Sequence, residues 1–251
     1  AGINIMDIAH QRYVPLPYLS LLVDDCIEKG VDVTAGGAKY NFTGPQAVGV
    51  GTVADGLSAI KQLVFEEQKI SGKEFLQAVS RNWEGYEWLY ALVNSDKVHH
   101  YGNDDDYADE LAKWASDVYC KHVEHRPNPR GGVFAPGVYT VTANVGLGEA
   151  QWASPDGRKA GEPVSDNVGA VHTQAGSHDT KGPTAMVKSV AIGLQALPPS
   201  LDSSRSTVSS TANPAERHWM ATAWPSSNFS NPFGVRTCTS CAGLVAASDV
   251  L

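Results

Sequence analysis

The histidines give the first suggestion of chemistry in this chain. His122-Val-Glu-His125 sets two imidazoles three residues apart at the end of an expected helix, a spacing that can serve a metal ion. No third ligand accompanies them, and basic groups at a helix C-terminus equally suit its dipole. His99-His100, just before Asp104–Asp106, could attract a cation but read rather as a polar loop with an acidic helix start. Cys238-x-x-Cys241 has redox or zinc spacing, and a lone pair of this kind is a weak signal. Gly36-Gly37 and Gly49-Val-Gly51 precede an expected helix at Val53, where backbone amides could cradle a phosphate. Tight turns and close backbone approach are the alternative. Asn41-Phe-Thr43 and Asn228-Phe-Ser230 match glycosylation sequons without other signs of secretion. The chain has no P-loop, no His-Glu-x-x-His and no Gly-x-Ser-x-Gly elbow.

The elements that would position these residues are mostly helical. LSLLVDDCIEKG, residues 19–30, has apolar residues at helical spacing and stops at Gly30. A second helix is expected over Val53–Gln68, with Leu57, Ile60, Leu63 and Val64 as its buried stripe. Ser71-Gly-Lys-Glu74 has the form of a capping box ahead of Phe75, Leu76 and Val79. Further helices are expected over Trp83–Val93 and Tyr107–His122, the latter with Asp104–Asp106 at its positive end. PNPRGG, residues 127–132, reads as a turn, and Val138–Val145 alternates as a strand. Helices alternating with short strands suggest an α/β layout.

Bulk properties narrow the function. The net charge of −8 argues against nucleic acid or an anionic membrane as partner, since phosphate binding needs clustered Lys and Arg. No apolar run approaches the roughly 20 residues of a membrane span. The first residues lack the basic start and apolar core of a secretory leader. Four cysteines are too few for a disulfide framework, so a reducing cytoplasm is expected.

Two dense stretches, Asp25–Glu67 and Gly131–Val190, carry a resemblance. CIEKG, GGAKYN, AD-x-L-x-AIK-x-LVFEE, YGNDDDYADELA and PDGRKAGEP follow one another in the order found in glycyl radical enzymes. These are the family of pyruvate formate-lyase and the glycerol and diol dehydratases. The resemblance covers about residues 1–191. It implies part of a ten-stranded α/β barrel, mainly its second half. It also implies a glycyl radical in the intact enzyme, installed by a radical S-adenosylmethionine activating enzyme, and thiyl-radical chemistry on a small-molecule substrate. An intact homodimer is expected. APGVYTVTANVG, GRKAGEPVSD and KGPTA favour the dehydratase and carbon–heteroatom lyase branch over a pyruvate formate-lyase-type acyltransferase. Within that branch PGVYTV resembles a cavity-lining strand, which implies substrate contacts from Tyr139 and Val141.

No catalytic residue, metal ligand or bound cofactor is assigned. The family's Cys-x-Glu loop and radical-glycine segment are not found, and the chain starts with Ala1, so an internal fragment is expected, inactive by itself. Cys26-Ile27-Glu28 mimics the loop by letter only, and Cys26 and Cys120 read as structural. A non-catalytic remnant or structural module is the competing reading. Composition changes at residue 192. Residues 192–251 hold 16 Ser or Thr, five Pro, no Lys and six charged residues, against 40 charged residues before them. That points to an irregular C-terminal tail or to a slipped reading frame.

Overall fold

The computed structural model describes residues 2–138 and 142–194. They are mainly helical with four two-residue strands, and fall into two compact units. Among them no helix is long and apolar enough to cross a membrane. The expectations for Tyr139, Val141, Cys238, Cys241, the Asn228 sequon and the tail beyond Leu194 lie outside the described residues.

The first unit comprises residues up to Pro45 together with His122–Gly137. It holds α1 (Gly2–Tyr13), α2 (Pro17–Ser20), α3 (Cys26–Lys29), β1 (Phe42–Thr43) and β2 (Val133–Phe134). The continuous helix expected over 19–30 is instead two single turns, with Asp25 at φ 75° between them. The cause is Asp32. Its carboxylate accepts from the Leu16 amide (3.1 Å) and Ser20 hydroxyl (2.8 Å) on one oxygen, and from the Thr34 amide (2.9 Å) and hydroxyl (2.6 Å) on the other. Partial burial pushes this carboxyl up, but the bonds from Thr34, Ser20 and Leu16 prevail and hold it below its ordinary range. Periodicity alone cannot anticipate a side chain that gathers four donors from outside the helix.

β1 and β2 pair in parallel, Phe42 with Val133 and Thr43 with Phe134. The 127–132 turn docks on β1 through its side chains. Arg130 Nη2 donates to Phe42 O (2.8 Å), and Asn41 Nδ2 donates to Arg130 O (2.6 Å). Gly132 is required here, because a Cβ would fall 1.7 Å from Asn41 O.

The second unit comprises Gln46–Lys121 and the described residues from Val138 on. Its elements are α4 (Val50–Ile60), α5 (Gly72–Ser80), α6 (Glu87–Val93), α7 (Asp106–Val123), α8 (Ala143–Glu149), the β3–β4 hairpin (His172–Thr173, Gly176–Ser177) and α9 (Pro183–Leu194). The last two residues of α7 count with the first unit. After Ile60 the chain continues through a wider π-helical turn, Lys61–Glu66. The capping box forms: Ser71 Oγ accepts from the Glu74 amide at 3.2 Å while Glu74 reaches back to the Ser71 amide. One apolar cluster collects Leu63, Phe75, Trp83, Leu89 and Val93, and a smaller one collects Val50, Ala54, Tyr101, Ala108 and Ala112.

Two expectations are corrected in this unit. The buried face of α4 and its π turn is not an apolar stripe. Leu57, Ile60 and Val64 are only half-buried, whereas Asp55, Ser58 and Gln62 are buried beside Ala54, Ala59 and Leu63. Of the strand expected over Val138–Val145, Ala143–Val145 lie instead in the first turn of α8, and 139–141 lie outside the described residues. Here tertiary pairing outweighs the alternation of apolar residues. Asn144 Nδ2 donates to Val164 O and the Val164 amide donates to Asn144 O, at 3.3 and 3.2 Å. Gly148 then approaches Glu162 so closely that a Cβ would sit 2.2 Å from its carbonyl oxygen.

Candidate functional site

The polar face of α4 and its π turn builds the most concentrated chemistry of the second unit. Asp55, Ser58 and Gln62 stand at i, i+3 and i+7, one helical face. Each takes hold of the segment 97–101. Asp55 Oδ1 accepts from the Tyr101 amide at 2.7 Å, and Ser58 Oγ donates to His99 O at 2.6 Å. Gln62 donates to Lys97 O (2.9 Å) and accepts from the His99 amide (3.1 Å). This clamp splits the histidine pair. His99 faces outward, 2.7 Å from Asp105 and stacked on Tyr107, as expected of a polar loop at a helix start. His100 turns inward and is buried.

Inside, His100 meets His178, which follows the β3–β4 hairpin. Their ring centroids are 4.0 Å apart. His178 Nδ1 lies 2.7 Å from Asp55 Oδ2, and His100 Nδ1 lies 3.3 Å from the same oxygen. All three side chains are at most 5% exposed. Desolvation pushes the His100 imidazole down, but the Asp55 carboxylate prevails and raises it. Desolvation likewise pushes Asp55 up, and the two imidazoles hold it below the ordinary carboxylate range. Asn103 ties the two histidine segments together, donating to His178 O (2.8 Å) and His100 O (3.2 Å).

The SPDGRKAGEP stretch forms the neighbouring wall. Arg158 is fully buried, and its guanidinium donates to Ser154 Oγ (2.9 Å), Glu162 O (2.7 Å) and Trp152 O. Trp83 Nε1 in turn donates to Arg158 O at 3.2 Å. Neither oxygen of the buried Asp156 makes a well-formed hydrogen bond. Desolvation pushes its carboxyl up to about 6, with Asp55 adding to the shift and Ser154, His178 and Arg158 opposing it.

Other candidates resolve plainly. The first turn of α4 is already occupied: the Val50 amide donates to Asn167 O at 3.0 Å and the Thr52 amide to Ser165 Oγ at 2.9 Å. A Cβ at Gly51 would lie 2.3 Å from Gly169 O, so Gly51 serves close backbone approach, and Gly49 serves the turn at φ 88°. His122 and His125 are exposed, and neither joins a group of three metal-ligand side chains. Among the described residues only Asp55, His100 and His178 converge in that way, within 4.8 Å. Asn41 spends its side-chain amide on Arg130. Cys26 and Cys120 are buried and in no disulfide. In the first unit Asp7, His10, Asp24, Lys39 and Arg130 line a cavity of about 80 Å³. That is well below the roughly 300 Å³ at which small-molecule sites begin. The sequence reading missed Asp55 and His178. The available signal was Asp55, Ser58 and Gln62 sharing one helical face with Ala59 and Leu63.

Comparison with known proteins places this geometry. Residues 1–148 match the pyruvate formate lyase-like family. The chain is 58% identical over 190 residues to the (2S)-3-sulfopropanediol dehydratase of Klebsiella oxytoca, covering 76% of this chain and 23% of that enzyme. The structure of the hydroxyproline dehydratase of Clostridioides difficile with trans-4-hydroxy-L-proline bound superposes with a TM-score of 0.71 at 36% identity, over 88% of this chain and 28% of that one. The glycerol-bound B12-independent glycerol dehydratase of Clostridium butyricum gives 0.66 at 43% identity, over 75% and 23%. The chain thus spans about a quarter of the length of these relatives.

Proposed function

Because the chain belongs to the pyruvate formate lyase-like family of glycyl radical enzymes, we propose that it is part of a dehydratase or carbon–heteroatom lyase acting on a small polar, hydroxyl-bearing substrate. The 58% identity to a diol dehydratase is the observation that carries this reading. In it, residues 1–191 form part of a ten-stranded α/β barrel, mainly its second half. The intact enzyme is a homodimer. A glycyl radical, installed by a radical S-adenosylmethionine activating enzyme, supplies the one-electron oxidation that makes a cysteine thiyl radical and lets it take a hydrogen atom from substrate.

The residues described here do not provide that cysteine. Cys26 is buried in α3, and desolvation followed by the charge of Asp32 raises its thiol. A Cβ at Gly37 would lie only 3.0 Å from its sulfur, so the thiol is packed against the Gly37 backbone. What this chain contributes is wall and scaffold. Tyr139 and Val141 contact substrate, while the Asp55–His178 and Arg158 networks hold the 94–103 and 152–162 segments of the scaffold.

A chimera tests this. The segment of the Klebsiella enzyme that aligns with this chain is replaced by the corresponding residues of this chain, and the product is activated anaerobically. Expected are dehydration of the sulfopropanediol by the chimera, a roughly tenfold rise in KM on Tyr139→Phe, and no turnover by the 251-residue chain alone. A chimera that folds and carries the radical without dehydrating substrate would overturn the reading, as would turnover by the chain alone.

A further inference from the structure

The hydrogen bonds around His100 and His178 fix their tautomers. His100 Nε2 lies 3.3 Å from the carbonyl oxygen of Ser95. His178 Nε2 lies 3.1 Å from Asn94 Oδ1. The Asn94 orientation is set because its Nδ2 donates to Tyr90 O (2.9 Å) and Gly157 O (3.4 Å). A carbonyl oxygen only accepts, so each imidazole has an N–H at Nε2, and His178 has a second at Nδ1 when it bonds Asp55. Both Nδ1 atoms therefore face Asp55 Oδ2.

This is how histidine ligands are held in metal sites, the distal N–H given to a carbonyl and the other nitrogen aimed at the ion. One spacing agrees. Zinc bonds of roughly 2.0–2.2 Å in a tetrahedron put neighbouring ligand atoms roughly 3.3–3.6 Å apart, and the three ligand atoms here all lie within 4.8 Å of one another. His100 Nδ1 and Asp55 Oδ2 are 3.3 Å apart, an ion-pair distance at which the contact falls short of a well-formed hydrogen bond. His178 Nδ1, at 2.7 Å, needs a proton to bond Asp55 and must move out by a few tenths of an ångström to ligate instead. Asp156 is a further buried carboxylate near the cluster, engaged by Ser154 and electrostatically coupled to Asp55 and His178.

We propose that Asp55, His100 and His178 form a buried structural site for one divalent transition-metal ion of the zinc class. Two imidazoles and a carboxylate are a borderline donor set suited to zinc or cobalt and not to calcium or magnesium. On loading, the ion takes the place of the proton between His178 Nδ1 and Asp55, and that proton leaves to solvent. The ion then joins α4, the 94–103 segment and the loop after β4 at one point. This site does not depend on the proposed lyase activity.

The test uses the purified 251-residue chain, stripped with chelator, loaded with Zn2+ or Co2+ and passed through gel filtration. Expected are one Zn2+ retained per chain by elemental analysis, a raised thermal midpoint, and a Co2+ visible spectrum of low-symmetry nitrogen–oxygen coordination. His178→Asn and His100→Gln should each weaken retention by more than about 100-fold, and Asn94→Ala by about 10- to 100-fold. His122→Asn with His125→Gln should change nothing. Absence of retained Zn2+ and of a Co2+ spectrum in the unmutated chain overturns the proposal even if the variants fail to fold. So does retention that survives His178→Asn or disappears with the exposed pair.

Discussion

Two bodies of buried side chains hang on the same helical segment and are built on opposite principles. Leu63 and Ala59 face Phe75, Trp83, Leu89 and Val93, where any side chain of suitable volume contributes in proportion to the area it buries. Asp55, Ser58 and Gln62 face the backbone at 97–101, where each polar atom has a particular partner at 2.6–3.1 Å. The apolar side supplies cohesion. The polar side decides which of the many compact arrangements is adopted, because a slipped segment would leave buried donors unpaired.

The largest expected effect sharpens that contrast. Asp55→Ala strands the Tyr101 amide and two imidazoles in a buried site, and should cost about 3–5 kcal/mol in urea unfolding. Leu63→Ala should cost about 2–5 kcal/mol, with Leu63→Met below about 1.5, since volume and not identity matters there. If Asp55→Asn proves as mild as Leu63→Met, the distinction between the two bodies collapses.

Asp109 supplies a pH test. Burial, with the nearby Asp105 and Asp104, pushes its carboxyl up to about 6 against the bond from Ser189. A carboxyl whose native value is raised favours the fold while protonated. That contribution is complete below about pH 4 and is lost as pH rises through about 6. Asp109→Asn should therefore be more stable than the parent at pH 7, by about 1–3 kcal/mol, with the difference vanishing near pH 4. A pH-independent difference would refute it. The smallest effect is Ser71→Ala, which removes an exposed capping box and should cost about 1 kcal/mol, read from the thermal midpoint.

What the sequence discloses follows the range of the interaction. The Ser71–Glu74 box and the acidic start of α7 depend on residues a few positions apart, and both are found where expected. Leu63, Phe75 and Val93 fall on apolar faces for the same reason. The break at Asp25 depends on Asp32 bonding back to Leu16, and the loss of strand at Ala143 depends on Val164, so local pattern misplaces both. His178 is 123 residues from Asp55. Nothing near either residue announces the other, and a histidine pair at 99–100 gives no hint which member turns inward. The family resemblance was legible because it rests on whole words such as PDGRKAGEP, whose meaning is the Arg158 network that the same letters build.

The parallel pairing of β1 with β2 has a consequence for how the chain is made. Thr43 leaves the ribosome first, and its partner Phe134 follows only after the whole of 46–121 has been synthesised. At about 5–20 residues per second that is a wait of roughly 5 to 20 seconds. During it the leading strand has no mate, while α4 to α7 can already coil and collapse behind it. The nascent β1 segment is therefore open to chaperones and proteases over that interval, and codon choice between positions 46 and 133 sets its length.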